Sequence, residues 1–147
     1  MNQDSYSFTK EPDVFYYEFF SEGPNGKIRK VVQFQQISLS EDIYNLGFGD
    51  FNEDLDDIDD RSVSNNQDTQ KVLTTVAKTV IDFMHQHPRS IVMAKGSTPS
   101  RTRLYQMGIS QFWNEIEPTF EVKGFMDNNW HPFEKGKNFE AFFIVKK

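Results

Sequence analysis

No cysteine occurs among the 147 residues, which excludes a disulfide scaffold, zinc–thiolate centres and thiol catalysis. No apolar run approaches the roughly 18 residues of a membrane span. The opening stretch, Met1-Asn-Gln-Asp-Ser-Tyr-Ser-Phe-Thr-Lys10, has neither a basic n-region nor an apolar h-region. It does not read as a secretory signal, and the expectation is a cytoplasmic chain. Leucine is scarce at five residues, and the apolar share rests instead on 15 Phe, 5 Tyr and 2 Trp. Aromatics bury much area per residue, so a core can be built from few positions. Neither a G-x-x-x-x-G-K-[ST] loop nor a G-x-G-x-x-G turn is present, so no motif names a nucleotide cofactor and none is expected. A G-x-S-x-G elbow is missing as well, which leaves no serine nucleophile to point to.

What is present divides by period. Residues 1–12 are polar, end in Glu11-Pro12, and read as a flexible N-terminus; residues 13–147 read as one domain. Aromatic-rich 14–20, alternating 27–37 and 43–48 predict three strands, the first two joined across Gly23-Pro24-Asn25-Gly26. From Gln67 to His87, Val72, Leu73, Val76, Val80, Phe83 and Met84 fall on one helical face, with Asn66 or Asp68 as cap and Pro88 as stop. Residues 90–94 predict a strand. Thr98-Pro99 opens a second helix, expected to reach Ile116, and strands at 119–126 and 139–146 close the chain. The order β-β-β-α-β-α-β-β predicts an α+β fold: a mixed, mostly antiparallel sheet with two helices packed on one face. If the third and fourth strands are parallel, both helices start at one edge, and segments 49–68 and 95–101 become neighbours.

Charge is segregated along the chain. Asp50–Asp60 holds seven acids and no base; without them the remaining acids fall one short of the 16 Lys+Arg, against a whole-chain net charge of −6. Phe83–Asn114 holds no acid but carries Arg89, Lys95, Arg101 and Arg103. The segment Lys95–Arg103 joins a strand to a helix N-terminus, where free amides and the helix dipole favour an anion. Ser97, Thr98 and Ser100 supply hydroxyls, and Arg101 and Arg103 supply guanidinium groups. The competing reading is structural: Ser97 and Thr98 cap the helix while the arginines pair with the acidic loop. That loop opens like an EF-hand but has Leu55 in place of the required glycine and Arg61 in place of the closing glutamate. A looser magnesium site from Asp59 or Asp60 with Asp68 is the remaining metal option, weighed against a solvated acidic loop. His85 and His87 are two apart and do not form an i, i+4 metal pair. His131, in an aromatic hairpin, is a candidate base without a placed partner.

The segments Ile43–Asp50, Asp59-Asp60, Ser64–Ala77 and Gly96–Tyr105, continuing into Trp130–Phe142, resemble a family of small single-domain bacterial proteins of about this length known only as a domain of unknown function. The resemblance implies a stand-alone bacterial protein and carries no activity or site residue with it.

Three functions follow as expectations. The first is a small binding or regulatory protein, not an enzyme. Its anion site, for a phosphate-bearing molecule or an acidic protein segment, draws on Ser97, Thr98, Ser100, Arg101 and Arg103, with Asn65 and Asp68 nearby. The second is a metal-assisted enzyme on a phosphate-containing substrate, using Asp60, Asn65 or Asp68 opposite Arg101. The third is a structural homo-oligomer in which acidic loop meets basic helix. The negative net charge argues against nucleic acid as the main ligand.

Overall fold

The computed structural model describes residues 4–11, 13, 15–52, 54, 57–59 and 66–147. The first three expected strands are present as β2 (Tyr16–Gly23), β3 (Gly26–Gln36) and β4 (Ile43–Asn52), an antiparallel meander. Pro24 and Asn25 form the two-residue turn of the first hairpin, with Gly26 at φ 87°. Three short strands were not foreseen: β1 (Thr9–Glu11) on β2, β5 (Asp57–Asp59) on β4, and β8 (Asn129–Pro132) on β7. The chain continues through α1 (Thr69–Gln86), β6 (Ile91–Ala94), α2 (Pro99–Gln111), α3 (Trp113–Ile116), β7 (Phe120–Met126) and β9 (Ala141–Lys146). Helix α2 stops short of the expected Ile116 because Phe112 leaves helical geometry at φ −107°, ψ 19°. That departure seats its ring in the core, where it is 1% exposed.

Among the described residues, eight strands run in the order β1-β2-β3-β4-β6-β9-β7-β8, with β5 pairing β4 off that path. Among the described residues the single parallel pair is β4 with β6, through Ile43↔Ile91, Tyr44↔Val92 and Asn45↔Met93. The fold is therefore α+β with a mixed, mostly antiparallel sheet and two main helices, as expected.

Alternation decides which face meets the helices. Tyr17 and Phe19 of β2, Val32 and Phe34 of β3, and Tyr44, Leu46 and Phe48 of β4 point to one side and are buried there. Val92, Ile144 and Val122 continue that side across β6, β9 and β7. Helix α1 lays Val72, Val76, Val80, Phe83 and Met84 on it; α2 and α3 add Tyr105, Ile109 and Ile116. Phe83 is the hub, stacked on Phe34 at 4.1 Å and edge-on to Tyr44 at 5.1 Å and Phe15 at 5.4 Å.

Residues 4–11 lie along the outer flank of α1. The Tyr6 amide donates to Thr75 Oγ1 at 2.9 Å, Lys78 Nζ donates to Ser5 Oγ at 2.8 Å, and Lys10 pairs with Asp82 at 3.1 Å. Tyr17 donates to the same Asp82 carboxylate at 2.7 Å. Burial first, and then that hydrogen bond, pushes the Tyr17 hydroxyl far above its ordinary value of 10. Between pH 10 and the folded value the unfolded chain has released this proton while the folded chain holds it, so stability falls as pH rises and is complete below pH 10. Tyr17→Phe is expected to cost about 1.5 kcal/mol at pH 8, with the gap to wild type narrowing above pH 10. Urea unfolding of both proteins from neutral to strongly alkaline pH checks this.

Candidate functional site

The turn from β6 into α2 is built by close packing. A Cβ at Gly96 would lie 2.5 Å from both the Arg101 Cβ and the Thr102 amide nitrogen. The glycine is therefore required by the approach of α2 itself. Its N–H donates to Thr102 Oγ1 at 3.0 Å, and Thr102 Oγ1 in turn donates to the Thr98 carbonyl at 3.3 Å. Thr98 Oγ1 accepts the Arg101 amide at 3.2 Å, and Pro99 occupies the first helical position. The capping role expected of Thr98 is thus present, and it uses one of the amides an anion would otherwise meet.

The two arginines part company here. Arg101 is 8% exposed, with its guanidinium carbon 5.2 Å from the centre of the Phe48 ring. Lys30, 5% exposed, approaches the same ring from β3 at 6.0 Å and forms a cross-strand ion pair with Asp50. Two cations are therefore folded in around one aromatic ring, an arrangement favoured by the ring's negative faces. Arg103, two residues on, is exposed. It lines an open cleft of about 410 Å³ with Lys95, Gly96, Ser97, Thr98, Pro99, Thr102 and Gln106 on one side and Asn138, Phe139 and Glu140 on the other.

The far wall of that cleft is fastened to α2. Gln106 Nε2 donates to the Lys137 carbonyl, and Gln106 Oε1 accepts the Phe139 amide at 3.2 Å. The Phe139 ring lies directly on Gly124 of β7, where an added Cβ would come within 2.3 Å of it. Both walls are thus held by rigid elements, and among the described residues the cleft carries Lys95 and Arg103 against the single carboxylate of Glu140.

Of the residues anticipated as ligands, Ser97, Thr98 and Arg103 come together in this cleft. Ser100 is exposed on the first turn of α2 outside its lining, and Arg101 turns inward to Phe48. Asp68 stands at the other helix start and belongs to a different network. It precedes α1 at the N-cap position, yet its carboxylate accepts from the Tyr6 hydroxyl at 2.6 Å and from Ser21 Oγ at 2.5 Å rather than capping the helix. Asn65, Asp60 and Glu53 lie outside the described residues, and no side chain is described for Asp59. Among the described residues no group of three or more His, Asp or Glu stands together as a metal site. His131 places Nε2 3.1 Å from the Met126 carbonyl, and His87 packs on Phe15 and Phe83. Lys95 was visible in the sequence beside Ser97. Gln106 and Asn138 were not, since 31 residues separate Gln106 from Lys137 and no local pattern joins them.

Next to Asp68, Asn66 is the anchor of the first hairpin. Its amide nitrogen donates to Ser21 Oγ at 3.0 Å and to the Gly26 carbonyl at 2.9 Å, and its oxygen accepts the Asn25 amide at 2.7 Å. Asn66 is 3% exposed. Asn66→Ala is expected to destabilise the fold by about 2 kcal/mol or more through stranded buried partners. Faster hydrogen exchange at the Asn25 amide, with the Gln106-linked wall unaffected, is the local signature to measure.

Residues 2–147 match the family model described as "Family of unknown function (DUF6934)", and the chain belongs to that family. No curated protein and no solved structure gives a match.

Proposed function

We propose that this member of the family is a small binding protein whose cleft between the β6–α2 turn and the segment before β9 takes a phosphate-bearing small molecule. The observation that carries the reading is the charge of the cleft within its chain. A protein of net charge −6 presents there two outward cations, Lys95 and Arg103, beside Ser97, with one acid, Glu140, among the described residues of the lining. Arg103 offers a planar fork that fits two phosphate oxygens, and Lys95 adds a mobile point charge. The cleft lies beyond the C-terminal end of β6, the edge where ligands gather in sheets with parallel pairs. The helix N-terminus contributes less than its position suggests, because Thr98 and Pro99 between them account for two of its first-turn positions. Recognition therefore rests on side chains, and it weakens with salt.

The experiment separates the two arginines. Wild type is screened by thermal shift against inorganic phosphate and a panel of nucleotides, beside Lys95→Ala/Arg103→Ala and Arg101→Ala. A ligand at about 100 times its dissociation constant adds about 2.7 kcal/mol and moves the midpoint by several degrees. Lys95→Ala/Arg103→Ala is expected to keep the wild-type midpoint without ligand and to lose the shift. Arg101→Ala is expected to melt lower and still respond. A shift retained in the double variant removes the reading.

A further inference from the structure

Not every glycine here is held by its surroundings. Gly96 and Gly124 each stand where an added Cβ would collide with a neighbour. Gly108, inside α2, does not: a Cβ there would meet only Leu73 of α1, at 3.8 Å, an ordinary contact. Its φ is not positive either, so no special backbone calls for it. A glycine within a helix weakens that helix relative to alanine, because it has more backbone freedom to lose. At Gly108 the loss brings neither a closer approach nor a turn. What it leaves is space.

The space is a cavity of about 60 Å³ between the two main helices and the sheet. Leu46 and Ile144 of the sheet form its floor, with Val76 and Val80 of α1 on one side and Ile109 of α2 on the other. All five are buried. Three of the lining residues are half-buried, Ala77 and Ile81 on α1 and Gly108 on α2. Leu73, Ala77 and Ile81 recur every four residues and so form one ridge of α1. Gly108 lies beside the first of them. The cavity therefore reaches solvent between the two helices, where Gly108 leaves out a side chain.

We propose that this cavity is a binding site for the end of an unbranched alkyl chain, carried by a small amphiphile. Two properties set that class. The walls are almost wholly carbon; a water held there needs two to four polar partners, and a hydrocarbon needs none. The volume is less than half of the roughly 150 Å³ in which a benzene ring fits, and holds about two or three carbons of a chain. A slim chain enters where a ring is excluded, and its polar head stays in water at the mouth. Helix α2 serves both sites from different flanks: Thr102 and Gln106 line the phosphate cleft, Tyr105 and Ile109 the cavity. Neither reading needs the other.

Methyl-labelled protein titrated with n-hexanol and, in parallel, with cyclohexanol reads the site by proton–carbon NMR. n-Hexanol is expected to move the methyl signals of Leu73, Val76 and Ile109 to saturation. Val145, on the opposite side of the sheet from Ile144, is expected to stay in place. Cyclohexanol is expected to bind about tenfold more weakly, for want of room. Gly108→Leu fills the mouth and is expected to weaken n-hexanol about tenfold or more, the worth of two buried methylenes. Gly108→Ala is expected to melt a few degrees higher than wild type and to bind about threefold more weakly. Cavity methyls that do not saturate in wild type, or a Val145 signal that moves with them, overturn the proposal. So does cyclohexanol binding as tightly as n-hexanol, or an unchanged affinity in Gly108→Leu. If that variant fails to fold, Gly108→Ala decides in its place.

Discussion

Three residue pairs hold the two halves of this sheet together. The strands before α1 form one antiparallel set and those after it another, and they join through Ile43–Asn45 against Ile91–Met93. Parallel neighbours cannot be connected by a tight turn, so the chain must leave the sheet, cross it and return. Helix α1 is that crossing, and its apolar stripe pays for the excursion by covering Phe34, Tyr44 and Leu46. The same constraint sends α2 back over the sheet from the end of β6 and puts the starts of both helices at one edge. Phe83, reaching from the crossing helix onto Phe34 and Tyr44 of the meander, ties the arrangement at its middle.

The acidic character of the chain shapes what its cations do. Lys30 and Arg101 are drawn inside, against Phe48 and, for Lys30, against Asp50. Lys95 and Arg103 remain outside at the cleft. Arg101 and Arg103 are two residues apart on a helix, about 200° around its axis. One therefore faces the sheet when the other faces water, and a sequence segment that reads as one basic cluster becomes two sites of different kinds.

Much of the fold was legible because period and punctuation agreed. The meander, the α1 stripe and the Thr98-Pro99 start each followed from local pattern, whereas the parallel pairing of β4 with β6 stood in the sequence only as one option. The end of α2 was not legible, since the stripe continues through Phe112 and the break is imposed by where that ring is buried. Strand β8 was hidden for a different reason. It belongs to a hairpin whose Asp127 and Asn128 both take positive φ, at 53° and 62°, in a stretch otherwise read as turn. At the cleft, Ser97, Thr98 and Arg103 were adjacent in sequence and so could be named, whereas Asn138 arrives from the far end of the chain. Strands β6 and β9 were legible by another mark: Ile91–Ala94 and Ala141–Val145 are apolar without alternation, as in strands apolar on both faces.

The contact between Phe139 and Gly124 has a consequence for how this sequence drifts. With ring carbons 2.3 Å from where any Cβ would stand, no side chain can appear at position 124 until the ring at 139 has shrunk. The ring cannot shrink without opening a hole in the core it fills. The two positions therefore change together or not at all, and the amide of Phe139 is also what Gln106 holds. A neutral-looking exchange in the middle of β7 would thus be filtered out by the geometry of a loop that it never adjoins in sequence.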